Sequence, residues 1–197
     1  MARLDEVWLL PANTPPHKDP HALAPAAHRL RMLELALAGQ DRLRANAIEL
    51  ERSGPSYTID TLALLNERHP NRAFALVVGI DGFRELHTWY RYQEIPVACD
   101  LIVTSRPPDA VHPGPDALQR ATSQIAVRAA FWYESAIGSF RHHSGHRLDF
   151  VPVTAIDVSA SAIRSAVAAG RSIRYLTPDS VADYIVAHGL YRAPQAV

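Results

Sequence analysis

Four stretches of the chain combine residue types and spacings suited to chemistry on phosphates. In WLLPANTPPHK, a rigid Pro15-Pro16 pair presents His17 and Lys18. Lys18 is the only lysine in 197 residues, and an ammonium there is a point charge suited to phosphate; the plain alternative is a solvated loop lysine. In SGPSYTIDTL, Thr58 stands where a helix begins, so backbone N–H groups and the positive end of the helix dipole face the preceding loop. Such an end attracts a small carboxylate or phosphate without a cationic side chain, and Tyr57 beside it could stack on a flat ring. An ordinary cap with an exposed tyrosine is the plain alternative. In VVGIDGFRELHTWYRYQEI, Gly79 permits a tight exit from a buried strand, and Asp81 lands at its mouth, within reach of ribose hydroxyls. Trp89 and Tyr90 follow, either to clamp an aromatic ring or to join the core. In AIDVSASAIRSAVAAG, Ser159 and Ser161 open a helix with Arg164 one turn inside. Hydroxyls, helix N–H groups and a guanidinium converge there as phosphate-binding groups do; a simple N-cap accounts for the serines but less well for the arginine.

The elements that must hold these groups alternate along the chain. Apolar, β-branched or aromatic runs predict strands at Glu6–Leu10, Leu43–Leu50, Phe74–Val78, Leu101–Thr104 and Leu148–Val153. The third is apolar throughout, as befits a strand covered on both faces. Helical spacing predicts helices over His28–Ala38, stopping at Gly39, over Ile59–Arg68, and over Ser161–Ala169 behind the cap Ser159. A last helix is expected with Thr177 as cap, Pro178 at its first position and Gly189 after it. Residues 106–147 are the least legible part and suit an insertion. Strand and helix in alternation imply an α/β fold with a mainly parallel sheet, whose ligands sit at the carboxyl ends of the strands. All four stretches then share one edge. Together they suit two phosphorylated ligands, at least one carrying a flat ring.

Composition narrows the class. Twenty Lys and Arg balance twenty Asp and Glu, and a pI near 7.2 excludes the broad basic footprint of a non-specific nucleic-acid binder. One cysteine, Cys99, excludes a disulfide scaffold or a thiolate zinc site. No apolar run is long enough to span a membrane, and the acidic start MARLDEVWLLPAN does not read as a signal peptide. A soluble, cytoplasmic protein is expected, with no membrane or nucleic-acid partner.

Across nearly the whole chain, DEVWLLPANTPPHK, RLRML, ERSGPSYTIDTL, VVGIDGFRELHTW, LIVTSRP, VSASAIR and YLTPDSVADYIVAHGLY resemble, in order and spacing, the bacterial nicotinate-nucleotide adenylyltransferases of the HxGH nucleotidyltransferase superfamily. The resemblance implies a Rossmann-like, doubly wound parallel sheet in a single domain, with a C-terminal helical part over 154–197. It implies transfer of AMP from ATP to nicotinate mononucleotide, with Mg²⁺ accompanying ATP, and leaves a homo-oligomer open. Carried over position by position, it gives Tyr57, Thr58, Trp89 and Tyr90 to the nicotinate pocket and Gly79 and Asp81 to the family's GxD. It matches Val158–Arg164 to the ISSTxIR motif for ATP phosphates, through Ser159, Ser161 and Arg164, and Lys18 to the basic residue after the double proline. Lys18 and Arg164 are the expected catalytic cations, and no resident metal ligand is expected. Ala160 departs from the motif's middle serine and removes one hydroxyl contact.

The family normally opens with a strand, a GGTFDPxHxGH-type turn and a helix, whereas Met1-Ala2-Arg3-Leu4-Asp5 resembles the end of that helix. The first strand is therefore expected to be missing from this chain, and in a doubly wound sheet it is central. His143-Ser144-Gly145-His146 also spells HxGH, but without a preceding strand and glycine turn it is expected to be local loop structure. A metal held by His142, His143 and His146 is the weaker alternative. Besides the adenylyltransferase, two alternatives stand: a non-catalytic remnant that binds pyridine mononucleotide, and a related adenylyltransferase with another phosphorylated acceptor.

Overall fold

The computed structural model describes residues 4–14, 23–107 and 110–192. In chain order they form β1 (Val7–Leu9), α1 (Ala26–Leu37), β2 (Leu43–Ala45), α2 (Thr58–Arg68), β3 (Ala75–Gly79), α3 (Ile80–Arg84), α4 (Ile95–Ala98) and β4 (Asp100–Ser105). Then follow α5 (Ala117–Ala121), α6 (Ile125–Ala129), β5 (Phe131–Glu134), β6 (Ser139–His142), β7 (Arg147–Pro152), α7 (Ala160–Ala168) and α8 (Asp179–Ala187). The chain divides into two compact units, one of Met1–Ser56 with Ile156–Val197, the other of Tyr57–Ala155. No helix among the described residues is long and apolar enough to cross a membrane.

In the first unit β1 and β2 pair in parallel, Val7 opposite Leu43 and Leu9 opposite Ala45. Helices α1, α7 and α8 supply its core. Ala166, Ile173, Val181 and Ile185 are buried, with Met32, Leu35 and Ile163 packed on them. The face of α1 that packs on them carries Met32, Leu35 and Ala36 at (i, i+3) and (i, i+4) spacing, beside and not along the Leu30, Leu33 and Leu37 line expected from the sequence. Both C-terminal helices stop in the same way. Gly170 (φ 66°) and Gly189 (φ 59°) adopt left-handed conformations, and the amides of Arg171 and Leu190 turn back to Ala166 O and Ile185 O at 2.8 and 3.0 Å. This is the Schellman closure, which satisfies carbonyls left over at a helix end.

The second unit is a five-stranded mixed sheet in the order β3-β4-β7-β6-β5. Strands β3, β4 and β7 run parallel, with Ala75 opposite Asp100 and Leu101 opposite Leu148; β6 and β5 are antiparallel. Leu101, Ile102 and Val103 of β4 are all buried, as expected of a strand paired on both sides and covered on both faces. Phe150 meets Phe83 and Phe140 edge-on, at centroid distances of 5.8 and 5.9 Å.

The α/β architecture with parallel pairing thus stands. Among the described residues β1 pairs with β2 alone and β3 with β4 alone, so the strands form two separate sheets. Some element boundaries differ from those expected. The strand predicted over Leu43–Leu50 ends at Ala45, because Asn46 Oδ1 accepts the amide of Ile48 at 2.9 Å and turns the backbone. Pro178, expected inside the last helix behind Thr177, is itself the N-cap residue: its ψ of 143° is extended, and its carbonyl accepts the first helical amides. Residues 106–147, illegible in the sequence, hold α5, α6 and the β5–β6 hairpin.

Cys99 lies fully buried between α4 and β4, and burial pushes its thiol up to about 12 from an ordinary 9.0. Unfolded chains ionise this thiol above about pH 9 and folded chains do not, so it leaves stability unchanged below that pH and lowers it as pH rises toward 12. A thiol-specific reagent at about pH 8 is expected to label the native protein only at the rate of structural opening, and rapid stoichiometric labelling without denaturant would contradict this burial.

Candidate active site

Helix α2 begins at Thr58, with Tyr57 as its N-cap residue in extended conformation (φ −81°, ψ 131°) and no side-chain hydrogen bond closing the cap. Buried Ile59, Leu62 and Leu65 hold the helix to the core and so fix where its N-terminus points. The helix ends just before β3, so this N-terminus stands at the carboxyl end of that strand. Asp60 lies in the first turn.

The segment after β3 completes this place. Gly79 leaves the strand at φ −69°, ψ 156°, a conformation open to any residue, and no described residue lies within 4 Å of where its Cβ would be. The expected tight exit at Gly79 is therefore corrected: its missing side chain leaves room, and the backbone does not demand it. The close approach is at Gly82, where a Cβ would come within 3.0 Å of Val78 Cγ2. Asp81, in the first turn of α3, is 86% exposed and 3.6 Å from Arg84.

Trp89 and Tyr90, adjacent in the chain, have different surroundings. Trp89 packs partly buried against the core. Tyr90 is 51% exposed, and its ring lies 4.5 Å from that of Tyr57 at an angle of 33°. The structure thus brings together Tyr57, Thr58 and Tyr90. Next to them, Arg91 takes the left-handed conformation (φ 50°, ψ 39°) and binds Glu94, with Asp60 3.9 Å away. Arg91 and Asp60 escaped the sequence reading. The Arg-x-x-Glu spacing signals the ion pair, but nothing in the sequence signals the approach to α2.

The second set of predicted residues lies in the other unit. Ser159 is the N-cap of α7, its hydroxyl oxygen accepting the amide of Ala162 at 3.1 Å. Ser161 Oγ accepts from Arg164 Nη2 at 3.0 Å, so the guanidinium is held one turn inside the helix on an exposed face. Lys18 and His17 lie outside the described residues.

His143-Ser144-Gly145-His146 forms the β6–β7 connection and is structural. Ser144 donates its hydroxyl to Pro96 O at 2.8 Å and its amide to His142 Nδ1 at 3.1 Å, and His146 Nδ1 lies 3.0 Å from Asp100 Oδ1. Asp100 begins β4, so this knot ties the amino end of the sheet, opposite the end where Gly79 and Asp81 emerge. No group of three or more His, Cys, Asp or Glu among the described residues is placed to hold a metal ion. A groove of about 480 Å³ lies against β5, β6 and the turn after it, lined by Trp132, Glu134, Arg141 and His143 among others, and none of the residues expected to bind the nucleotides borders it. Arg141 there is already engaged, 2.9 Å from both Glu134 Oε2 and Gly145 O.

Residues 1–166 match the family model described as cytidylyltransferase-like. The chain is 42% identical over 192 residues to the probable nicotinate-nucleotide adenylyltransferase of Pseudomonas paraeruginosa, covering 97% of this chain and 85% of that protein. It is 37% identical over 193 residues to the protein of the same name from Syntrophotalea carbinolica, covering 98% and 86%. Among solved structures, Plasmodium falciparum nicotinic acid mononucleotide adenylyltransferase complexed with NaAD shares the fold. The TM-score is 0.65 at 16% identity, over 95% of this chain and 83% of that one.

Two local features have measurable consequences. Ser159→Ala is expected to lower stability by about 1 kcal/mol through loss of the cap, with Ser159→Asp retaining it, as read from denaturant midpoints. His142 is held below its ordinary 6.5, first by burial and then by His143 and His146. Its neutral ring is the form that accepts the Ser144 amide, so its contribution is present above about pH 6.5 and lost as pH falls below it. Hydrogen exchange at the Ser144 amide is expected to lose protection on acidification in the native protein, and this change should vanish in His142→Gln.

Proposed function

The chain belongs to the cytidylyltransferase-like family, and from its likeness to the nicotinate-nucleotide adenylyltransferases we propose that it transfers AMP from ATP to nicotinate mononucleotide, giving deamido-NAD and pyrophosphate in NAD biosynthesis. The observation that carries this reading is the pair of rings, Tyr57 and Tyr90, at the start of α2, where the N-cap residue Tyr57 makes no side-chain cap hydrogen bond. Nicotinate is a flat ring bearing a carboxylate, and these are the two features that an aromatic pair and a positive helix end attract. In this assignment Tyr57, Thr58, Trp89 and Tyr90 hold the pyridine, and Gly79 and Asp81 serve the nucleotide. Ser159, Ser161 and Arg164 take the phosphates of ATP, with Lys18 as a second cation.

No protein nucleophile is required. An oxygen of the acceptor's 5′-phosphate attacks the α-phosphorus of ATP in line. The new P–O bond forms as the bond to the bridging oxygen of pyrophosphate breaks, and pyrophosphate leaves with the electron pair. The protein contributes positioning and charge neutralisation. Arg164 can exchange the single contact of Ser161 for a bidentate phosphate contact, which is charge-assisted and stronger. Magnesium enters on ATP as part of the substrate and spreads the triphosphate's charge, in keeping with that ion's preference for phosphate oxygens and water. A soluble, cytoplasmic enzyme agrees with this chemistry.

Incubating the purified chain with ATP, magnesium and nicotinate mononucleotide is expected to release pyrophosphate and form deamido-NAD. Tyr90→Ala, at an exposed position, should raise KM for the acceptor roughly tenfold through loss of ring stacking. Arg164→Gln should lower kcat by about a hundredfold. Acceptor binding without product would instead mark a non-catalytic pyridine-nucleotide binder, and transfer to a different phosphorylated acceptor would mark a related adenylyltransferase.

A further inference from the structure

A glycine inside a helix is less favourable than alanine, so Gly82, in the middle of the five-residue helix α3, needs a physical reason. Its backbone supplies none, being helical and outside the left-handed region. Its neighbours supply one. A Cβ at this position would stand 3.0 Å from Val78 Cγ2 and 3.7 Å from Trp89 Cζ2. Val78 is buried in the core and β-branched, so its methyl groups are stiff and have nowhere to swing. The bare α-carbon of Gly82 therefore lets α3 fold directly back over the end of β3. It also leaves the indole of Trp89 room to lie beside it.

From Gly82 to Trp89 the chain is a succession of closed turns. The amide of Glu85 donates to Asp81 O at 3.2 Å, and the amide and hydroxyl of Thr88 both donate to Glu85 O at 2.8 Å. The amide of Trp89 donates to Leu86 O at 3.0 Å. Buried Ile80, Phe83 and Leu86 anchor this run to the core. A run bonded in this way has little slack, so the seat of α3 on Val78 fixes where Trp89 stands. Tyr90 is the next residue, and its ring lies 4.5 Å from that of Tyr57. We propose that Gly82 is a positioning residue for the acceptor: the space left by its missing side chain sets the place of the Trp89 indole and, through it, the stance of Tyr90 against Tyr57. This role rests on the reading above, in which Trp89 and Tyr90 hold the pyridine.

The test compares the wild-type chain with Gly82→Ala, Gly82→Val and the double variant Gly82→Ala with Val78→Ala, using ATP and nicotinate mononucleotide. Gly82→Ala is expected to raise KM for the acceptor about threefold, and Gly82→Val about tenfold. In Gly82→Ala, kcat and KM for ATP should stay within about twofold of wild type. The better helix propensity of alanine offsets the crowding, so Gly82→Ala is expected to melt within about 3 °C of wild type. In the double variant the added methyl fits where Val78 Cγ2 has been removed, and KM for the acceptor is expected to return to within about twofold of wild type. The same variant is less stable than wild type, because a core valine has been truncated. Recovery of KM alongside lower stability is an outcome that a merely structural role would not produce. An unchanged acceptor KM in both Gly82 variants, an equal rise in KM for ATP, or a double variant no better than Gly82→Ala overturns the proposal. A wild-type chain that transfers AMP to no nicotinate mononucleotide overturns the functional reading instead. The placement of Trp89 is then read from its emission in a Trp8→Phe, Trp132→Phe background, where it is the remaining tryptophan. A shifted emission maximum in Gly82→Ala that the double variant reverses supports the role of Gly82, and an unchanged or unreversed maximum overturns it.

Discussion

Strand β4 is hydrogen-bonded on both sides, to β3 with Ala75 opposite Asp100 and to β7 with Leu101 opposite Leu148. Its Leu101, Ile102 and Val103 are buried, and Phe83, Phe140 and Phe150 close around it edge to face. This parallel register sets the direction of everything else in its unit. The chain leaves β3 at Gly79 and enters α3 with Asp81 at the carboxyl end, while Asp100, His146 and Ser144 lock the amino end. With both faces of β4 covered, a register slip would exchange side chains of different volume between two close-packed layers, which makes it costly.

The chemistry assigned to the chain is economical in charge. Acidic and basic residues balance in number, so the reading relies on a few placed groups and not on a broad excess of basic residues. A helix start capped by Tyr57 without a side-chain hydrogen bond of its own, a serine-capped helix carrying Arg164, and ion pairs such as Arg91 with Glu94 each put a small charge where the backbone geometry directs it.

The helices with clear amphipathic spacing and glycine stops, α1, α7 and α8, were legible to within a residue or two, because cap and stop signals are local. The serine cap at Ser159 was legible for the same reason. The β5–β6 hairpin was not. Its strands are short, and its inward residues include Ser139 and His142 beside Phe131 and Phe140, which blurs the period-two pattern. Leu43–Leu50 misled in the opposite way: its apolar pattern continues past Ala45, but Asn46 captures the backbone and ends the strand. The HxGH-like stretch shows how little four letters carry alone, since here the same letters form a turn that staples α4 and β4 to the hairpin.

The amino-acid sequence by itself determined the alternation of strands and helices, the places where helices start and stop, and the family to which the ordered motifs belong. These rest on propensities, caps and spacing within a few residues of each other. Tertiary structure decided which ring faces which, dividing Trp89 toward the core and Tyr90 toward Tyr57, and it brought Arg91 within 3.9 Å of a carboxylate 31 positions earlier in the chain. Such contacts depend on how a strand's exit loop folds back over a neighbouring helix end, and that is set by packing between elements and not by any one segment's sequence.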